Sequence, residues 1–384
     1  MLNSKKEKIY ILALHLGIGG VESSIAFLSN ILSKNYDVTI ICTYKLSNIP
    51  YIQLNPTVKV EYLTENLTPN KEQFLNAVKQ KNIKNILKEG ILAFKILFLK
   101  KYTMIKKIKQ LDAKVIISTR YTFSKLLGKY GKKDCIKIAQ EHNHHNNKKK
   151  YIKKVIKSLK NIDYFMPVSQ ELTDFYDKHI HYKKTKCYYI PHGIEYFPTK
   201  SAKLENKQIV SIGRLDPIKG FLDLIDIFKK LEPQNPDWTL NIVGGGEQYD
   251  ELNQKIHKLG LEKKVFLLGQ KNRAEINNVL FNSSIYVMTS LSESFGLVLL
   301  EAESFGIPLV AFDSAQGAKE IIKDGKNGFL VSNRDKHEMV TKIQYLINKP
   351  ELRYNMGQHG RTFAKNHTTD NIQKEWEIFF NKLK

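Results

Sequence analysis

At 384 residues the chain exceeds one ordinary core and fits two domains of about 150 to 200 residues each. Its 42% hydrophobic and 26% charged residues are those of a globular protein, and the most apolar stretch, Ile91 to Leu99, is broken by Lys95 and falls short of the roughly 18 apolar residues that a membrane span requires. The net charge of +23 is one-sided, because residues 1–200 carry 36 Lys and Arg against 15 Asp and Glu whereas residues 201–384 carry 25 against 23.

A basic field confined to one half suits an anionic partner: a membrane leaflet, a phospholipid-linked acceptor or nucleic acid. A solvated lysine face would give the same count. Cys42, Cys135 and Cys187 lie far apart with no metal-type spacing, and the N-terminus leads into a strand-like run with no secretory pattern. Both features predict a reduced, cytoplasmic protein.

The first predicted strand, Lys8 to Leu14, leads through Gly17, Gly19 and Gly20 into a helical pattern from Ser23 to Leu32. Glycines between a strand and a helix let a ligand approach the backbone, and the helix start favours an anion. Asp37 to Thr43 reads as a second buried strand, so the chain opens as a βαβ unit. Residues 71–110 alternate Lys with Ile, Leu and Phe. This is a basic amphipathic pattern that fits an anionic membrane surface, or a helix packed on the sheet with snorkelling lysines.

Lys114 to Ser118 and Cys135 to Ala139 read as further strands, and the second opens into His142, His144 and His145. No distant Cys/His pair completes a zinc set with these histidines. A histidine just past a parallel strand instead lies where such sheets bind ligands. Asp163 to Val168 reads as another strand, with Ser169 placed to cap the helix that follows. A polar stretch from Pro198 to Lys207 reads as the interdomain linker.

The βα rhythm then restarts. Gln208 to Ile212 enters Gly213, Arg214, Lys219 and Gly220; Thr239 to Val243 enters Gly244 to Gly246; and Val265 to Leu268 enters Gly269. Ile285 to Thr289 and Ile307 to Phe312 flank a loop and helix that carry Glu293 and Glu301, eight residues apart, on either side of Phe295-Gly296. Two cations on one turn, Arg214 and Lys219, suit the two phosphates of a diphosphate. A helix starting at Phe295-Gly296 offers backbone N–H groups and its positive end to the same anion. Glu301, counted from that start, would stand about 9 Å along the helix, at the distance of the ribose hydroxyls. A carboxylate suits a diol there, and Glu293 is left for the hydroxyls of a sugar.

These motifs, with Gly19-Gly20-Val-Glu22, Ile190-Pro-His-Gly193 and Gly317 to Gly328, resemble retaining glycosyltransferases of family 4 with the GT-B fold. The resemblance covers essentially the whole chain. It implies an α/β architecture of two Rossmann-like, doubly wound domains facing a central cleft: a basic acceptor-binding domain over 1–197, a nucleotide-sugar-binding domain over 198–365, and a C-terminal helix over 366–384 returning to the first domain. It also implies transfer of a hexose or N-acetylhexosamine from a nucleotide sugar, most often UDP-linked, with retention and without a metal or other cofactor.

By resemblance, Gly213, Arg214 and Lys219 bind the diphosphate and Glu301 the ribose. Glu293, with the backbone of Phe295, Gly296 and Leu297, holds the donor sugar. Gly20 approaches the phosphates, and His142 contacts the donor near the reacting centre, chosen over His144 and His145 by its nearness to the strand. His192 and Glu195 stand where Asn and Asp are commoner. The reading is of a peripheral enzyme on the inner face of the cell membrane, extending a lipid-linked glycan for a capsule, lipopolysaccharide or cell-wall polymer. A protein or soluble sugar acceptor is the second reading. A nucleic-acid-binding module lacks any accompanying motif, and an inactive scaffold would not retain Arg214, Lys219, Glu293 and Glu301.

Overall fold

The computed structural model describes residues 6–17, 19–46, 53–65 and 70–383. The chain divides into two compact units, Met1–Ile190 and Pro191–Lys384. Each is a parallel sheet flanked by helices, as the two successive βα rhythms predict.

Among the described residues the first unit contains β1 (Lys8–Ala13), β2 (Asp37–Tyr44), β3 (Lys59–Thr64), β4 (Val115–Ser118), β5 (Ile136–Glu141), β6 (Tyr164–Pro167) and β7 (Lys186–Cys187). They pair in parallel in the order β3-β2-β1-β4-β5-β6-β7, so the strand order reverses between β1 and β4. Ile11, Leu12, Ile40, Ile41 and Ile117 are fully buried, as continuous apolar runs are in a sheet covered on both faces. The half-exposed edge strand β3 and the two-residue β7 carry no such run, which is why neither is legible in the sequence.

The helices of this unit are α1 (Gly20–Leu32), α2 (Lys71–Lys79), α3 (Ile83–Gln110), α4 (Tyr121–Tyr130), α5 (Lys149–Ser158) and α6 (Gln170–His179). Ser169 caps α6 as its position predicts, its Oγ accepting from Leu172 N at 3.2 Å. Helix α3 has two apolar sides. Ile96, Met104 and Ile108 are buried, while Ile83, Leu87, Ile91, Phe94, Phe98 and Tyr102 recur every three or four residues and are 56% to 74% exposed.

The second unit contains β8 (Gln208–Ile212), β9 (Thr239–Val243), β10 (Val265–Leu267), β11 (Ile285–Met288), β12 (Leu309–Phe312) and β13 (Gly328–Val331), all parallel, in the order β10-β9-β8-β11-β12-β13. Around them lie α7 (Phe221–Leu231), α8 (Tyr249–Lys258), α9 (Arg273–Phe281), α10 (Leu297–Ser304), α11 (Gln316–Ile321), α12 (Lys336–Asn348), α13 (Pro350–Lys365) and α14 (Thr369–Asn381). Leu224, Ile227 and Phe228 of α7 share a core with Leu240, Ile242, Val287, Val310 and Ile343.

Helix α10 meets α13 through backbone. A Cβ on Gly357 would fall 1.9 Å from the carbonyl oxygen of Gly306, so no side chain fits between them. The polar stretch 198–207, expected as a linker, is instead tied into the second unit. Arg361 Nη2 donates to Pro198 O at 2.5 Å, Arg353 Nη2 to Leu204 O at 2.9 Å, and Ala202 N to Phe305 O at 2.7 Å. Its composition marks an absence of apolar side chains, but its carbonyls are acceptors that two guanidiniums on α13 use. The division therefore falls after Ile190 rather than after Phe197, and residues 366–384 group with the second unit.

Candidate active site

In the second unit the strand order reverses between β8 and β11, and the loops after these strands carry the expected residues. The β8 loop closes on itself in a short 3₁₀ turn, Pro217–Lys219, ended by Gly220 in the left-handed region at φ 66°. A Cβ on Gly220 would lie 2.3 Å from Thr289 O, so glycine is needed there for both conformation and space. Thr289 Oγ1 donates to the carbonyls of Lys219 and Gly220 at 3.1 and 3.0 Å, and Leu291 N donates to Ile218 O at 2.7 Å. These bonds fix the cation-bearing turn to the end of β11.

Lys219 Nζ reaches across to Glu293 Oε2 at 2.5 Å, with both side chains about one-fifth exposed. Arg214 points its fork at its own loop, Nε and Nη2 each 2.6 Å from Asp216 Oδ2, and its side chain is largely exposed. The expected pair of cations is thus present on one turn, each held by a carboxylate.

Glu293 is held by its backbone, its carbonyl accepting from Gly317 N at 2.9 Å, and a Cβ on Gly317 would collide with the Phe295 backbone. Phe295 is buried, with its ring 5.0 Å from the His192 ring. Burial, helped by His367, lowers the His192 pKa to about 4, which keeps this imidazole neutral at physiological pH. His192 therefore packs against Phe295 and the loop that carries Glu293 as an uncharged ring.

Gly296 is left-handed at φ 90° and precedes the helix as its cap residue, with no side chain capping it. Helix α10 consequently begins at Leu297, not at Phe295. Glu301 is its fifth residue and stands about 6 Å along the axis from Leu297, a shorter reach than the expected 9 Å.

The partner of Glu301 is Arg273, the first residue of α9, whose Nη1 donates to Glu301 Oε1 at 2.6 Å. Glu195 belongs to the same cluster. Burial raises its pKa, Arg273 opposes the rise and Glu301 adds to it. Arg273 opens a helix and reads in the sequence as a surface residue; only its position just past β10, at the same end of the sheet as the loops after β8 and β11, could have signalled it.

In the first unit Gly20 is the first residue of α1, and a Cβ on it would meet nothing within 4 Å. Among the described residues nothing in this unit's packing requires the glycine. His142 follows β5 directly and is buried. Beside it, Glu141 accepts from Tyr121 N at 3.2 Å and from Asn143 N and Nδ2 at 3.2 and 3.0 Å, while burial raises its pKa. His145 packs on Phe175 and Tyr176 and accepts from Asn147 N at 3.0 Å; His144 Nδ1 lies 2.8 Å from Asn146 Oδ1. His144 is thus engaged with its own loop and His145 with the loop and α6, which leaves His142 as the histidine placed by the strand end itself. Among the described residues no three His, Cys, Asp or Glu side chains converge as metal ligands.

An uncharacterized glycosyltransferase of Haemophilus influenzae is 37% identical to this chain over 178 residues, 46% of this chain and 50% of that protein, so the chain spans about half that relative's length. AmsD of Erwinia amylovora, an amylovoran biosynthesis glycosyltransferase, is 28% identical across 94% of this chain and 96% of its own length. Among solved structures, the pneumococcal O-GlcNAc transferase GtfA in complex with UDP and GlcNAc aligns with a TM-score of 0.75 at 16% identity, covering 98% of this chain and 99% of that one. The likeness carries the fold: two Rossmann-like units of the GT-B glycosyltransferase type. Residues 194–363, which hold Glu195, Lys219, Arg273, Glu293 and Glu301, match the family model described as glycosyl transferases group 1.

Proposed function

We propose that the chain transfers a hexose or N-acetylhexosamine from a UDP-linked sugar to a lipid-linked glycan, retaining the anomeric configuration and using no metal, in the synthesis of a capsule, lipopolysaccharide or cell-wall polymer. The observation that carries the proposal is the pair of carboxylates flanking the uncapped start of α10, Glu293 against Lys219 and Glu301 against Arg273. An incoming diphosphate takes Lys219 and Arg214 together with the α10 N–H groups, which releases Glu293 to the hydroxyls of the sugar. Glu301 accepts from the ribose diol. As the glycosidic bond to the diphosphate breaks, the same cations and helix end stabilise the charge that gathers on the leaving group. His142 and the open backbone at Gly20 serve this donor from the first unit.

The exposed stripe of α3, with Lys84, Lys88, Lys95 and Lys101 along it and Glu89 as the helix's lone acid, supports attachment to the anionic inner leaflet and hence a lipid-linked acceptor. The names of AmsD and of the UDP-bound GtfA support a polysaccharide pathway and a UDP donor.

The test is a panel of UDP-, GDP- and ADP-linked sugars, read by thermal stabilisation and by hydrolysis, with and without EDTA. A UDP-sugar is expected to stabilise Lys219→Ala and Glu301→Ala less than the wild type, EDTA is expected to change nothing, and the product anomer by NMR is expected to match the donor. Equal stabilisation of wild type and variants would overturn the donor assignment.

A further inference from the structure

The strand-order reversal of the first sheet is lined by charge that the donor site does not use. His15 follows β1, Tyr44 ends β2, and Arg120 caps α4 just past β4. Lys100 comes in from α3, its Nζ lying 5.9 Å from the centre of the Tyr44 ring and 5.8 Å from that of Phe123, which sits in the first turn of α4 after Arg120. One carboxylate faces this group. Glu22, in the first turn of α1, has Oε1 3.9 Å from Arg120 Nη2 and 3.4 Å from His15 Nδ1. Arg120 Nε is buried and finds no hydrogen-bond partner among the described residues, and the same holds for Thr43 Oγ1 at the end of β2.

Among the described residues, two cations against one carboxylate leave this cluster with an excess of positive charge. The effect is felt within it: burial and then Arg120 lower the pKa of Lys100, while burial, Arg120 and Lys100 lower that of His15 against the pull of Glu22. Holding like charges near one another on half-buried side chains is unfavourable until an anion arrives. A guanidinium with an unused donor beside a lysine point charge is the combination that phosphate oxygens fit, and the carboxyl end of a parallel sheet at its switch point is where such ligands sit.

We propose that Lys100 and Arg120 form a phosphate-binding subsite that holds a phosphate group of the acceptor. This deepens the acceptor reading given above and rests on it. The donor's diphosphate has the same chemistry, so the test must separate the two sources.

The full chain is titrated with inorganic phosphate in the presence of saturating UDP, by calorimetry or ³¹P NMR, and separately with UDP alone, for wild type, Lys100→Met, Arg120→Gln and Lys100→Arg. Phosphate is expected to bind the UDP-loaded wild type. The loss of one charge-assisted hydrogen bond is expected to weaken it about ten-fold or more in Lys100→Met and Arg120→Gln, to be restored in Lys100→Arg, and to leave the UDP affinity unchanged. The restored Lys100→Arg variant guards against a folding artefact. Phosphate binding that vanishes once UDP is bound, or a UDP affinity that falls with that for phosphate, would hand the pocket to the donor and overturn the proposal. So would equal phosphate affinity in all variants, or none in the wild type. Failure of the glycosyltransferase reading would show separately, as a wild type that binds no UDP.

Discussion

The ion pair between Lys219 and Glu293 sets two effects of opposite sign on a single variant. In the proposed donor site Lys219 takes the diphosphate, yet in this structure it is bonded to Glu293 at 2.5 Å. UDP must therefore break this pair, and free UDP offers Glu293 no sugar hydroxyls in return. Because both side chains are about one-fifth exposed, the pair is worth about 1 kcal/mol, at the upper end for partly solvated pairs, rather than its gross Coulomb energy. Glu293→Gln, which keeps the shape and removes the charge, is expected to tighten UDP about five-fold, while turnover of the UDP-sugar falls because the sugar loses its charged acceptor. Lys219→Met removes a charge-assisted bond of about 1.5 to 3 kcal/mol, offset by the roughly 1 kcal/mol no longer spent on the pair, so UDP is expected to weaken by about two-fold to thirty-fold. Calorimetry of UDP against wild type, both single variants and the double variant closes a double-mutant cycle. The Glu293→Gln gain should disappear in the Lys219→Met background. A Glu293→Gln variant that binds UDP no better than wild type, or that gains equally with and without Lys219, would refute the latch.

Three further outcomes are expected. Gly220 and Gly260 share φ 66°, but only Gly220 has a carbonyl where its Cβ would go; Gly260→Ala should lose about 1 kcal/mol and Gly220→Ala clearly more, at about 2 to 4 °C in Tm per kcal/mol, and equal losses would show that the contact with Thr289 does not matter. Glu303 is fully buried, accepts from Asn327 Nδ2 at 2.6 Å, and has its pKa pushed well above the ordinary carboxylate range by burial. The native state therefore keeps a proton that the unfolded chain releases above about pH 4.3, and stability falls as pH rises from there by up to about 1.4 kcal/mol per unit. Glu303→Gln should flatten the curve of Tm against pH, and parallel curves for variant and wild type would sink the idea. Finally, Phe94→Glu with Phe98→Glu should release the protein from anionic vesicles in sedimentation, as should high salt, whereas undiminished co-sedimentation of the double variant would remove the stripe from membrane contact.

The sequence is most legible where burial on both faces imposes one kind of side chain. Thr239–Val243 is a strand with the predicted ends, and the runs before Glu293 and after Gly306 are strands because parallel sheets leave no polar face. Gly220 and Gly296 were legible as punctuation, and their left-handed backbones explain why glycine stands there. What stayed hidden depends on distance in the chain. Arg273 is 28 residues from Glu301 and nothing local marks it as that residue's partner. Lys100 reaches the start of α4, where Arg120 stands, only because α3 packs against α4. The stretch 198–207 reads as a linker because its polarity resembles freedom, but the carbonyls of Pro198 and Leu204 are the acceptors of two guanidiniums on α13. For residues 71–110, amphipathicity could not say which apolar side faces the sheet. The helix has one of each.

The backbone contact between Gly306 and Gly357 makes the seat of α10 a joint without play. Where two helices meet through interdigitated side chains, a small displacement is taken up by a change of rotamer. Here the carbonyl of one glycine rests against the α-carbon of the other, and there is no rotamer to change. Any shift of α13 therefore passes undamped to α10 and, five residues upstream, to Glu301. Position 357 lies far from Glu301 along the chain, but mechanically it is the next link to it.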